Sequence, residues 1–89
     1  MTTTRERVAE RLREVFPGAD VEVIDLTGSD DHLQARVISA AFEGKSAIER
    51  HKLVYAPLRG WIQDETIHAL SIKAWTPGQH ASHSKEGTQ

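Results

Sequence analysis

The hydrophobic patterning predicts an α+β domain in the order αββααβ, with a three-stranded mixed sheet and its helices gathered on one face. Three observations carry that expectation. Two segments open on a capping-box spacing and continue with apolar residues at helical intervals. Three shorter runs are apolar, rich in β-branched residues and bounded by turn chemistry. A helical stretch of about 26 residues separates the second and third runs, long enough for a crossover and far too long for a hairpin, so those two strands are parallel if they are neighbours.

The first helix begins at Thr3, with Glu6 three residues on, and Val8, Leu12, Val15 and Phe16 supply its apolar stripe. Pro17 disfavours helical geometry in the residue before it, and Gly18 supplies the turn that ends the helix. Val21, Val23, Ile24 and Leu26 form the first strand, through about residue 26. The segment Thr27-Gly28-Ser29-Asp30-Asp31 is turn chemistry, and residues 33–40 read as the returning strand of an antiparallel hairpin. Glu43-Gly44-Lys45 is a loop, and Ser46 with Glu49 repeats the capping box ahead of a second helix carrying Ile48, Leu53, Val54 and Tyr55. Pro57 suits the first turn of a short third helix containing Leu58, Trp61 and Ile62. Residues 67–75 alternate as the last strand, with His68, Leu70, Ile72 and Ala74 on one face and Ile67, Ala69, Ser71, Lys73 and Trp75 on the other. Thr76-Pro77-Gly78 closes it. Residues 1–77 are thus expected to form the domain, and 78–89 a disordered tail too polar to repay its ordering entropy.

Composition narrows the chemistry. A chain of 89 residues is one domain's worth, with one core and only shallow sites near the surface. Without cysteine there is no disulfide, no thiol catalysis and no cluster held by this chain alone, so a soft metal centre would be shared with a partner. The net charge of −2 argues against a protein that coats nucleic acid or a membrane surface. That charge is uneven: Asp20, Glu22, Asp25, Asp30 and Asp31 crowd residues 20–31, whereas Lys45, Arg50, Lys52 and Arg59 make the second helix and its flanks mildly basic. No apolar run approaches the ~20 residues that span a bilayer, and the N-terminus lacks a signal-peptide core, so the expected location is cytoplasmic.

Parallel second and third strands would put His32 and His68 at the same end of the sheet, although they stand far apart in sequence. Neighbouring strands lie about 4.8 Å apart, close enough for two imidazoles to reach one metal or cofactor. The same pattern fits a core histidine at 68 with a satisfied ring and a turn histidine at 32. Gly44-Lys45-Ser46 ends like a phosphate-binding loop, but that loop requires a Gly where Ser39 stands. No nucleophile elbow occurs, and the acidic residues sit where solvation and helix capping explain them. No enzymatic activity is expected.

The stretches FEGKSAIERHKLVYAPL and IHALSIKAWTP together resemble the BolA-like family, and the resemblance covers residues 5–77. It rests on Phe42, Gly44, Arg50, His51 and Tyr55 in the first stretch, and on His68-Ala69-Leu70, Lys73 and Thr76-Pro77 in the second. It implies an αββααβ fold similar to class II KH domains. It further implies a partner, a monothiol glutaredoxin of the CGFS type, and a shared two-iron two-sulfur cluster whose other ligands include the glutaredoxin cysteine and glutathione. The family's cluster-ligand histidine matches His68, and the second ligand, which the family draws from the loop between its first two strands, matches His32. The implied role is cluster trafficking or maturation, or iron homeostasis, by a chain that is a monomer or homodimer when alone.

A different function follows from the KH-like fold, since BolA-like proteins are also linked to transcriptional regulation under stress and of cell morphology. KH domains clamp nucleic acid through a GXXG loop. This chain has none. Lys45, Arg50, Lys52 and Arg59 would meet phosphates instead, with weak unaided affinity for DNA given the overall acidity.

Overall fold

The structure, a computed structural model, describes residues 2–79. Helix α1 spans Thr4–Val15, β1 Asp20–Asp25, β2 His32–Ile38, α2 Ala47–Tyr55, α3 Arg59–Gln63 and β3 Ala69–Trp75, with single 3-10 turns at Ala40–Phe42 and Ala56–Leu58. The strand order is β1-β2-β3. β1 and β2 pair antiparallel, Asp20 opposite Ile38 through Asp25 opposite Leu33, while β2 and β3 pair parallel, His32 opposite Ala69 through Ile38 opposite Trp75. The αββααβ order and mixed sheet match the expectation.

Burial alternates strictly along β2. Leu33, Ala35 and Val37 are fully buried, and Gln34 and Arg36 between them are only partly so. On β1 and β3 the same face presents Val21 and Val23, and Leu70, Ile72 and Ala74, to a single core shared with Val8, Ala9, Leu12 and Phe16 of the first helical segment and with Val54 and Leu58. The helices therefore cover one face of the sheet. On the other face Arg36 bridges to Glu22 at 3.0 Å and lies over the Trp75 ring at 5.5 Å.

Both predicted helix starts are capped. The Thr3 hydroxyl accepts from the Glu6 amide, and Ser46 and Glu49 form a complete capping box, Ser46 Oγ accepting from the Glu49 amide and Glu49 Oε1 from the Ser46 amide. At nine residues α2 is too short to persist alone, and Val54 is its only buried side chain. Ile48 and Leu53, read as part of its apolar set, are 69% and 38% exposed, and Val15 of α1 is 39% exposed.

Several boundaries differ from the patterning. β2 stops at Ile38, because Ser39 caps the following 3-10 turn through its hydroxyl and swings Phe42 into the core, where its ring meets Phe16 at 5.3 Å. β3 starts at Ala69, and the bend over 66–68 reverses the alternation: Ile67 is buried and His68 is exposed. The amide of Ile67 is held by the Trp61 carbonyl and that of His68 by the Asp31 carbonyl, so neither follows the pleat of the strand. Gly78 and Gln79, expected in the tail, are helical together with Pro77. Thr76 caps this turn, its hydroxyl accepting from the Gln79 amide while Gln79 Oε1 accepts from the Thr76 amide. The rest of the expected tail, residues 80–89 with His80 and His83, lies outside the described residues. Among the described residues no helix is long and apolar enough to cross a membrane.

Candidate functional site

The loop from β1 to β2 is held by three successive aspartates. Asp25 receives the amides of Thr27 and Gly28 on one oxygen, at 3.3 and 2.9 Å, and that of Asp30 on the other, at 3.1 Å. Asp30 adopts a left-handed backbone, which Asp tolerates better than most residues, and reaches across to α1. There its carboxylate accepts from the amides of Thr4 at 2.6 Å and Arg5 at 3.1 Å, two donors that a helix start leaves unpaired. Partial burial opposes ionisation of Asp30, but these amide hydrogen bonds outweigh it and hold the group below the ordinary carboxylate range.

Asp31 then joins the loop to β3. Its carbonyl accepts from the amides of His68 and Ala69 at 2.8 and 3.2 Å, fixing the entry to the last strand against the start of β2. Its carboxylate lies between two imidazoles: Nδ1 of His32 is 2.8 Å from Oδ1, and Nδ1 of His68 is 2.6 Å from Oδ2. The Ser29 hydroxyl donates to the same carboxylate and itself contacts the Thr27 hydroxyl. Hydrogen bonds from Ser29, then His32 and His68, keep the Asp31 carboxyl far below its usual range.

The two rings sit 6.0 Å apart, centroid to centroid. Their side chains are 43% and 53% exposed, whereas that of Asp31 is 24% exposed. The parallel register thus brings both histidines to one end of the sheet, as their positions in sequence suggested. Asp31 was missed: an acidic residue in a polar turn carries no sequence signal that distinguishes it from Asp30 or Asp25. Only its place before β2, whose parallel neighbour β3 begins at Ala69 just after His68, makes it central.

Two imidazoles suit one iron of a two-iron two-sulfur centre, where a histidine pair is an accepted replacement for two thiolates. Among the described residues no group of three or more His, Cys, Asp or Glu side chains could hold a metal ion. With no cysteine in the chain, the second iron would draw its ligands from another molecule.

The basic residues divide. Lys45 and Arg50 line a groove of about 500 Å³ along the free edge of β3, together with His51, Lys73, Trp75 and Gln79. Arg50 is fixed there, donating to the Lys45 carbonyl at 2.9 Å and to Gln79 Oε1 at 2.5 Å. Lys52 and Arg59 do not line this groove, and the Arg59 guanidinium lies over the Tyr55 ring at 6.0 Å. His51 stacks on the same tyrosine at 6.2 Å. Lys73, absent from the basic set expected from sequence, joins the groove because β3 is an edge strand beside α2.

Comparison with known proteins adds an independent line. Residues 11–79 match a family model described as BolA-like protein. The chain is 35% identical over 65 residues to the acid stress protein IbaG of Escherichia coli K12, covering 73% of this chain and 77% of that one. It is 32% identical over 79 residues to the DNA-binding transcriptional regulator BolA of the same organism, covering 81% and 74% respectively. Among solved structures, BolA1 from Arabidopsis thaliana superposes with a TM-score of 0.78 at 28% identity, over 88% of this chain and 96% of that one.

Proposed function

The chain belongs to the BolA-like protein family, and on that premise we propose that it is a non-enzymatic cytoplasmic partner of a monothiol CGFS glutaredoxin, with which it shares a two-iron two-sulfur cluster. The role is cluster trafficking and maturation or iron homeostasis. The observation that carries this reading is the pair of exposed imidazoles, His32 and His68, 6.0 Å apart at the open end of the β2–β3 ladder in a chain without cysteine. His68 is the principal ligand and His32 the second, both through imidazole nitrogen. A shared cluster, when bound, would supply iron for which imidazole is an accepted ligand, and His68 and His32 would hold it. The glutaredoxin cysteine and glutathione complete the other side. Protonated imidazole cannot coordinate, so a cluster held this way is lost in mild acid, a property in keeping with a relative named an acid stress protein.

The test mixes the full chain with a CGFS glutaredoxin, glutathione, iron and sulfide without oxygen, and follows visible absorption and circular dichroism. A new mixed spectrum is expected for the wild type. His68→Ala abolishes it or reduces it to that of the glutaredoxin alone, and His32→Ala alters it. A wild-type chain that leaves the glutaredoxin spectrum unchanged overturns the proposal.

A second reading is supported by the groove beside α2, where Lys45, Arg50 and Lys73 converge, and by the relative named a DNA-binding transcriptional regulator. On this reading the chain binds DNA phosphates through that groove, in regulation of stress response and morphology. Lys52 and Arg59 then contribute only long-range charge.

A further inference from the structure

We propose that Asp31 is the positioning residue of the two-histidine site: by accepting a hydrogen bond from Nδ1 of each ring on a separate oxygen, its carboxylate fixes both His32 and His68 in the tautomer that presents Nε2 outward. The inference rests on the histidine-site reading and assigns which atom of each ring does the binding.

An ionised carboxylate has only lone pairs to offer, so both Nδ1 atoms that contact it must carry the proton. A neutral imidazole has a single N–H, and its remaining lone pair is then on Nε2 in each case. Free histidine in water favours the opposite tautomer, with the proton on Nε2. Asp31 therefore reverses the intrinsic preference of two rings at once. The acceptor role is secured from behind, because the Ser29 hydroxyl donates to the same group and leaves it no call for a proton of its own. Ring orientation is fixed along with the tautomer. A hydrogen bond from the non-ligating nitrogen to a carboxylate is the usual way in which metal-binding histidines are aimed and made more basic, and its loss typically weakens metal affinity about 10–100-fold.

The main-chain carbonyl of Asp31 holds the amides of His68 and Ala69 and survives any side-chain change. Replacing the carboxylate therefore removes the ring contacts without removing the strand register. The experiment is long-range proton–nitrogen correlation of the histidine rings in the 15N-labelled full chain, without cluster, at a pH where both rings are neutral. In the wild type, Nδ1 of His32 and His68 should each appear as the protonated nitrogen and Nε2 as the unprotonated one. In Asp31→Ala both rings should revert towards the Nε2–H form, while His51 stays unchanged. Asp31→Asn serves if the alanine variant fails to fold: its single carbonyl oxygen can keep at most one of two oppositely placed ring contacts, so at least one ring must change tautomer. Wild-type rings already in the Nε2–H form, or rings unmoved in whichever of the two variants folds, overturn the proposal. Because this readout uses no cluster, a failure to form the mixed cluster with glutaredoxin counts against the functional reading alone. With that complex formed, the alanine variant should release its cluster about 10–100-fold more readily than the wild type.

Discussion

At the N-terminal end of β3 two imidazoles meet a carboxylate that is itself tied to a serine hydroxyl, and the loop supplying it is anchored to β1 through Asp25 and to α1 through Asp30. At the C-terminal end of the same strand Lys45 and Lys73 line an open groove in which, among the described residues, neither ammonium forms an ion pair, while Arg50 donates to the Lys45 carbonyl and to Gln79. The first end spends its hydrogen bonds on direction, as coordination chemistry demands. The second leaves its two lysines without an ion pair at the surface, which suits attraction to phosphates without fixing a geometry. A chain 89 residues long can support both because parallel pairing of β2 and β3 sends the two regions to opposite ends of one rigid ladder.

The largest expected effect would separate the two ends outright. If the groove binds duplex DNA, Lys45→Ala, Arg50→Ala and Lys73→Ala combined remove three phosphate partners and should lower the slope of log affinity against log salt by about 3, at roughly one per cation. The same triple variant should keep the mixed-cluster spectrum, and His68→Ala should keep the DNA salt slope. A salt slope unchanged in the triple variant would show that the basic groove is not where phosphates bind, and binding measured from about 50 to 200 mM salt decides it.

A middling effect concerns how firmly the histidine end is built. Asp30→Ala withdraws the acceptor for two amides at the start of α1 and should cost about 1 kcal/mol, in line with the loss of a helix N-cap. In a domain of this size that corresponds to roughly 4–8 °C in thermal midpoint. The loss should loosen the β1–β2 loop as well, seen as faster amide exchange at residues 27–31, whereas Ser46→Ala at the other cap should leave that loop untouched. Equal exchange in the two variants would mean that the loop does not depend on α1.

The smallest effect is on pH dependence. Asp30 and Asp31 both have carboxyls lowered in the folded state, so each contributes stability above the ordinary carboxylate range. That contribution is lost as pH falls through and below the range, because the unfolded chain then takes up protons the folded one refuses. Thermal midpoints measured from neutral pH down to about pH 3 should therefore fall more steeply for the wild type than for Asp30→Ala. Parallel curves would assign the acid loss to other groups, among which Asp31, Glu49, held down by the Ser46 amide and hydroxyl, and Asp64, held by Thr66, are the candidates.

Much of this molecule was legible in its order of residues. An N-cap at Thr3, a capping box at Ser46, a proline-glycine stop and the period-two alternation of Leu33, Ala35 and Val37 act within a few residues of themselves, so helix starts and the core face of β2 follow from local rules. The length of the link between β2 and β3 implied a parallel pair, and with it the meeting of His32 with His68. Other features depended on contacts that no local window contains. His68 leaves the core face because its amide is taken by the carbonyl of a residue 37 positions earlier, and Ile67 replaces it inside. Lys73 joins the basic set, and Lys52 and Arg59 do not line the groove with Lys45 and Arg50, because an edge strand packs beside one helix and not because of their spacing. Asp31 is the clearest case. Composition shows one carboxylate among five in a polar stretch, and only the register between two strands distant in sequence puts its two oxygens between two rings. Hydrophobic period and capping are short-range and repeat along the chain, so sequence specifies them. Side-chain direction at a sheet end is set by which backbone amides find which carbonyls across the fold, and that is decided only when the tertiary structure closes.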